Sequence, residues 1–259
     1  MLKLYCVERQ HGGVHVLAGW VGPGKEWDAF DIAWKSILET LAMPDGSPCR
    51  VLSPSRLADR DSEESRAGRG WSRAEARLAY SRATDVLVDP GRCPSLEPLG
   101  CAVEVPDSIG WVHRDGARLF LFFKVYDLLA KRFPGSEVLV TMNEAAVRDN
   151  AARLHALATT DRRTQPAIRL AFGRDEDNVP LQAAALLASG WLGRIIEASG
   201  RPVDPVHVSY ERVRASRRSG VFWRYGADAV AKAQRSPDQA AAAQRWVEVL
   251  REETPTFDD

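Results

Sequence analysis

An α/β fold, a mixed β-sheet flanked by helices, follows from three observations on this sequence. Two apolar segments suited to neighbouring strands open the chain at residues 2–7 and 14–21, later segments alternate between strand-like and helix-like patterning, and 45% of the 259 residues are hydrophobic. A chain of that length and composition can bury a substantial core, as one large domain or a domain with an appendage.

Each element has its own justification. Residues 8–13 join the first two strands, and the pair Gly12-Gly13 fits a hairpin turn. After Gly22-Pro23-Gly24, the residues Trp27, Phe30, Trp34, Ile37, Leu38 and Leu41 recur at helical spacing. That stripe predicts a helix whose tryptophans pack in the core rather than stack on bases. Residues 53–70 are polar and charged around Asp59-Arg60-Asp61-Ser62-Glu63-Glu64, with almost nothing to bury. A solvated loop or lid is expected there, with disorder favoured.

Ser72-Arg73-Ala74-Glu75 has capping-box spacing, in which the serine accepts from the amide three residues on and the glutamate reaches back, opening a helix to about Val88. The pattern then gives a strand at 99–105 and a helix at 117–133, stopped by Phe133-Pro134-Gly135. A strand at 138–142, a helix at 144–157, a strand at 167–172 and a helix at 180–198 follow. Pro180 suits a first helical position, where its missing N–H has no partner to lose, and Leu181, Ala184, Ala188, Leu192 and Ile195 mark one core-facing side. Beyond Gly200-Arg201-Pro202, a short strand near 206–209 and helices at 226–234 and 237–251 are predicted. Residues 1–200 are therefore read as the main domain and 201–259 as a helical appendage packed on it, with a frayed tail at 254–259.

Composition narrows the function classes. Thirty-five basic and thirty-five acidic residues cancel, which removes the whole-chain electrostatic footprint of a strong nucleic-acid binder and leaves only a local patch for that work. The basic residues are 29 Arg against 6 Lys, a bias that suits phosphate contacts but also follows from a GC-rich genome, the explanation placed first. Cys6, Cys49, Cys93 and Cys101 include no Cys-x-x-Cys pair and match no zinc spacing, so reduced, buried thiols are expected. No apolar run approaches the roughly 20 residues that span a bilayer, and residues 1–5 read as a strand rather than a signal peptide. A cytoplasmic location, with no membrane partner, is the expectation. The sequence leaves the oligomeric state open.

Three short motifs carry a family resemblance. The first strand reads Tyr5-Cys6-Val7-Glu8-Arg9-Gln10, a middle strand ends Thr141-Met142-Asn143-Glu144, and a late helix contains Leu181-Gln182-Ala183-Ala184-Ala185. With the opening strand pair and the helix beginning near Lys25-Glu26-Trp27, the chain resembles the prokaryotic family catalogued as domain of unknown function 3800, over residues 1 to about 197. The resemblance implies an RNase H-like fold. It also implies acidic residues in Tyr-x-Asp-Glu-Ser-Gly, at the end of the middle strand, and in Leu-Gln-x-Ala-Asp. Here Val7, Asn143 and Ala185 occupy those three positions.

Two-metal phosphoryl transfer needs converging carboxylates, because hard divalent cations require oxygen ligands of compensating charge. Val7 and Ala185 offer none, and Asn143 offers only a neutral carbonyl. The expectation is a nuclease-like protein that is catalytically inactive, needs no cofactor or resident metal, and serves as a nucleic-acid-binding or assembly module. The alternative is an active metal-dependent nuclease or phosphodiesterase using Mg²⁺ or Mn²⁺ on relocated carboxylates, with Glu8, Glu144, Asp175 and Asp177 as replacement candidates. A structural protein-interaction domain is the third reading. Strand alternation argues against Glu8 unless the strand ends or bulges there, because neighbouring residues face opposite sides. Glu144 falls near a predicted helix N-terminus, where a carboxylate is favourable without catalysis.

His15, His113 and His155 accompany no Gly-x-Ser-x-Gly elbow or Cys/His arrangement and are read as surface or satisfied structural residues. The strongest residual binding feature is Arg212, Arg214, Arg217 and Arg218, flanked by Tyr210, Phe222, Trp223, Arg224 and Tyr225. Such a group can grip phosphates and stack bases, while a solvated edge beside a docked aromatic cluster is the favoured reading. A protein partner stands beside nucleic acid as an expected class.

Overall fold

The computed structural model describes residues 1–41, 43, 46–52, 71, 73–105, 111–143, 168–175, 177–200, 208–216, 220–226 and 228–229. Its elements run β1 (Leu2–His11), β2 (Val14–Pro23), α1 (Gly24–Thr40), α2 (Arg73–Val88), β3 (Glu97–Glu104), α3 (Trp111–Arg132), β4 (Val138–Asn143), β5 (Ile168–Gly173), α4 (Val179–Ala198), α5 (Val208–Ala215) and β6 (Val221–Tyr225). The strands form one six-stranded mixed sheet in the order β5-β4-β1-β2-β3-β6. β1, β2 and β3 are antiparallel neighbours, whereas β4 runs parallel to β1, β5 parallel to β4, and β6 parallel to β3.

The first hairpin shows why the sheet is regular at its centre. Gly12 and Gly13 both adopt positive φ, at 52° and 76°, which suits a two-residue turn matching the twist of the paired strands. Pairing therefore runs without interruption from Leu2 opposite Pro23 to His11 opposite Val14. Residues 8–11 belong to the strand rather than to the connection expected from their polarity. Pairing with the apolar β2 fixes them where their own side chains do not.

Helices cover both faces. One core gathers Tyr5, Val7, Val16 and Trp20 of the sheet beneath α1, α2 and α4, and the other gathers Leu4, Cys6, Leu17 and Val140 against Leu121, Val125 and Leu129 of α3. The tryptophan stripe of α1 packs inward as expected: Trp27 meets Tyr5 edge-on at 4.6 Å and Phe30 at 5.4 Å, and Phe30 lies 5.2 Å from Trp34. All four cysteines are buried thiols outside any disulfide.

Four expectations change. Helix α4 is buried almost all round rather than on one side, because it lies between the sheet and the helices α1, α2 and α5. It is also, among the described residues, the helix long and apolar enough to cross a bilayer, although protein packs most of its surface. Where a strand was expected near 206–209, Val208 and Ser209 open helix α5, because Ser209 and Val213 dock inward at helical spacing. Val221–Tyr225, read only as an aromatic cluster, is a strand that joins the main sheet beside β3. Helix α3 begins at Trp111, six residues before the predicted start, in a stretch whose polar residues and Gly116 hide the helical pattern. The predicted loop at 53–70, the helices at 144–157 and 237–251, most of that at 226–234, and the tail lie outside the described residues.

Candidate functional site

The C-terminal ends of the parallel strands β1, β4 and β5 lie together, and the three signature positions converge there. Alternation turns Tyr5, Val7 and Arg9 toward α1 and α4, while Leu4, Cys6 and Glu8 face α3. Since Cys6 pairs with Met142, Val7 and Asn143 follow one residue further along, and both belong to the α4 side. Ala185 approaches the same side from α4 and joins Val7 in the same core cluster. Val7 is 1% exposed and Ala185 0%. Two of the three positions are thus packed hydrocarbon.

The third is closed by hydrogen bonding. Asn143 Nδ2 donates to Asp175 Oδ1 at 2.6 Å, and the backbone carbonyl of Asp175 accepts from Gln182 Nε2 at 2.8 Å. Gln182 is fully buried, and its Oε1 accepts from Trp34 Nε1 at 3.2 Å and from the Leu52 amide at 2.9 Å. One side chain therefore ties the turn after β5 to α1 and to the segment at Leu52. The signature glutamine is a structural clamp, since burying an amide of this kind is tolerable only when both its ends are satisfied.

Arg9, which stands at the serine position of the first motif, lies beside these residues. Its Nε donates to Ser189 Oγ at 3.2 Å and its Nη1 to the Glu8 carbonyl at 3.1 Å. Burial pushes the guanidinium below its ordinary range, and attraction to Asp175, then to Glu8, opposes that shift. The signal for this residue lay in periodicity. Arg9 follows Val7 by two on a strand and Ser189 follows Ala185 by four on a helix, so each shares its neighbour's face.

These residues do not fit a divalent ion. Val7 and Ala185 supply no donor atom, and the Asn143 amide is spent on Asp175. Among the described residues, no group of three or more His, Cys, Asp or Glu is placed to hold a metal.

Among the described residues, the replacement carboxylates do not assemble here. Because β1 continues without a bulge, Glu8 faces α3, where its Oε1 accepts from Arg118 Nε at 2.7 Å and lies 3.9 Å from His15 Nδ1. Among the described residues, Asp175 alone of the candidates is placed at the site. Asp177 lies in the turn, its amide donating to the Arg174 carbonyl at 3.2 Å, and is exposed. Glu144 lies outside the described residues, as do Arg217 and Arg218.

The arginine and aromatic group divides in the same way. Arg212 donates from Nε at 2.7 Å and from Nη2 to Asp85 Oδ1, fastening α5 to α2, while Arg214 is exposed. Tyr210 and Phe222 dock on Trp191 with centroids 6.0 and 4.9 Å away. Gly100 leaves room for Trp191 against the sheet, since a Cβ there would come within 2.7 Å of the indole. Trp223 and Tyr225 face the opposite side, under Lys131 and Lys124 at 5.5 and 5.6 Å from the ring centroids. Strand alternation in β6 has separated rings that are contiguous in sequence. Comparison with known proteins finds no matching family model, no matching curated protein and no matching solved structure.

Proposed function

We propose that this chain is a nuclease-like module of RNase H-like topology that does not cleave phosphodiesters at its central site and that serves to bind nucleic acid. The observation that carries this reading is the convergence of Val7, Asn143 and Ala185 on one side of the sheet, with two of them packed in hydrocarbon. A central antiparallel β1-β2-β3 set, extended on the far side of β1 by the parallel strands β4 and β5, supports the RNase H-like part. Function belongs to the site rather than to the fold, so the inactive reading rests on the residues.

Binding itself rests on exposed arginine. Arg214 on α5, with Arg217 and Arg218 following in sequence, supplies cations suited to a phosphate backbone, read without sequence preference. The test is anisotropy of labelled single-stranded DNA, single-stranded RNA and duplex DNA in EDTA across salt, followed by incubation with Mg²⁺ and Mn²⁺. Salt-dependent binding with intact substrate is expected. Absence of binding to all three would assign the chain to protein assembly, and cleavage would assign it to the relocated-carboxylate reading.

A further inference from the structure

We infer that Arg9 is an anion-binding residue of the central site, taking a phosphate group on the N–H donors that it does not spend inside the protein. The inference deepens the proposed nucleic-acid binding, on which it rests, by naming a contact at the end of β1 itself. The phosphate belongs either to a backbone phosphodiester or to a free phosphate ion, and titration with each separates the two.

A guanidinium carries five N–H donors in a fixed fork and keeps its charge near neutral pH. Arg9 donates from Nε to Ser189 Oγ at 3.2 Å and from Nη1 to the Glu8 carbonyl at 3.1 Å, so both hydrogens of Nη2 and one of Nη1 have no partner among the described residues. Its orientation is fixed, yet both oxygens it holds are neutral. Three arginines are half-buried among the described residues, and the other two each hold a carboxylate: Arg118 donates to Glu8 Oε1 at 2.7 Å and Arg212 to Asp85 Oδ1 at 2.7 Å. The Asp175 and Glu8 carboxylates attract Arg9 only from a greater distance. Charges drawn out of water are ordinarily paired, so an oriented guanidinium without a carboxylate in contact is suited to an incoming oxyanion.

The surroundings of Arg9 lead outward. From Val179 to Gly193 every residue of α4 is buried except Ser189, the one that Arg9 touches. On β1 the chain leaves the core at the same place: Val7 is buried, Arg9 is half-buried, and Gln10, His11 and Gly12 are exposed. Arg9 therefore stands where the hydrocarbon of Val7 and Ala185 gives way to the surface, at the carboxyl ends of the parallel strands β1, β4 and β5. That is where open α/β sheets receive ligands. A forked guanidinium offers a phosphate parallel hydrogen bonds together with a charge, which fits the anion without reading a base sequence.

The test compares the unmodified full chain in EDTA with Arg9→Gln and Arg9→Lys. Glutamine keeps a donor for Ser189 without the charge, and lysine keeps the charge without the fork. With a labelled single-stranded oligonucleotide followed by anisotropy across salt, Arg9→Gln is expected to bind about tenfold more weakly, its log-affinity against log-salt slope shallower by about 0.7. Arg9→Lys should lose affinity at an unchanged slope, a split that a merely structural role would not produce. Tm in rising sodium phosphate, against sodium chloride of equal ionic strength, reads the site without nucleic acid. The unmodified chain should gain about 3 °C near ten times Kd, and Arg9→Gln should gain nothing. If the unmodified chain binds the oligonucleotide, unchanged affinity and slope in Arg9→Gln overturn the inference. If it binds none, the functional proposal fails by itself and the phosphate titration decides: stabilisation that Arg9→Gln lacks assigns the site to free phosphate, and equal or absent responses overturn it. Should Arg9→Gln fail to fold, Arg9→Lys takes its place, with weaker binding at an unchanged slope supporting the inference and unchanged affinity overturning it.

Discussion

The two sides of the end of β1 answer the same problem differently. Toward α4, Val7 shares a core with Ala185, Arg9 donates to Ser189, and Asp175 is drawn into a connected chain with Asn143 and Gln182. Toward α3, Glu8 meets Arg118 and His15, yet Glu8 Oε2 and His15 Nδ1 are buried with no hydrogen-bond partner among the described residues. The first side holds hydrocarbon at Val7 and Ala185 and a partly buried guanidinium at Arg9. The second has kept a carboxylate where no phosphoryl-transfer site faces it. Period-two alternation separates them completely, so an acid one residue away in sequence lies on the wrong side of a sheet.

The largest expected effect comes from putting charge back into the hydrocarbon. Ala185→Asp at a 0% exposed position is predicted to cost on the order of 3–5 kcal/mol near neutral pH, read by urea denaturation. Burial would raise that carboxyl above its unfolded value of about 3.9, so the folded state holds the proton more tightly. The cost is therefore smallest below the unfolded value and grows as pH rises toward the folded value. A pH-independent loss would place the new side chain in water and contradict the packed site. Val7→Asp should behave in the same manner.

Next comes the clamp. Gln182→Leu removes one acceptor and one donor, leaving the Trp34 indole N–H, the Leu52 amide and the Asp175 carbonyl without the bonds that this side chain supplies. A loss of about 3 kcal/mol is expected, since each orphaned buried group costs roughly 1–3 kcal/mol before relaxation. On the α3 side, Glu8→Gln should cost less, about 1.5 kcal/mol, because one charged hydrogen bond is weakened and Arg118 retains solvent access. If Glu8→Gln proved the more damaging, the comparison between the two sides would be reversed.

The smallest effects belong to the arginine segment. Arg212→Ala breaks a partly exposed pair with Asp85 and should cost only about 0.2–1 kcal/mol. Replacing Arg214, Arg217 and Arg218 with Ala should leave stability nearly unchanged. For every phosphate that these side chains neutralise, the slope of log affinity against log salt should become shallower by about 0.9 on duplex DNA, or about 0.7 on a single strand. An unchanged slope would make this segment plain surface.

Much of the fold was readable because periodicity is a local record of burial. Trp27, Phe30 and Trp34 announced the buried side of α1, and Gly12-Gly13 announced the hairpin. What stayed hidden depends on partners distant in sequence. Val208–Ala215 carries a mixed pattern that becomes helix when Ser209 and Val213 dock, and Val221–Tyr225 is a strand because β3 offers it an edge. At the site, alternation correctly turned Glu8 away from Val7. Arg9 sits at the serine position of the first motif, and only the approach of Ser189 from α4 gives it meaning.

The central claim is that the α4 side of the β1 end is closed to phosphodiester chemistry. Its most direct test is cleavage of single-stranded and duplex nucleic acid by the unmodified chain in Mn²⁺, with Asp175→Asn, Asp177→Asn and Glu144→Gln alongside. No Mn²⁺-dependent product above the level of those variants is predicted. Robust cleavage by the unmodified chain, abolished by changing Asp177 or Glu144, would contradict the account and show that the ligands have moved.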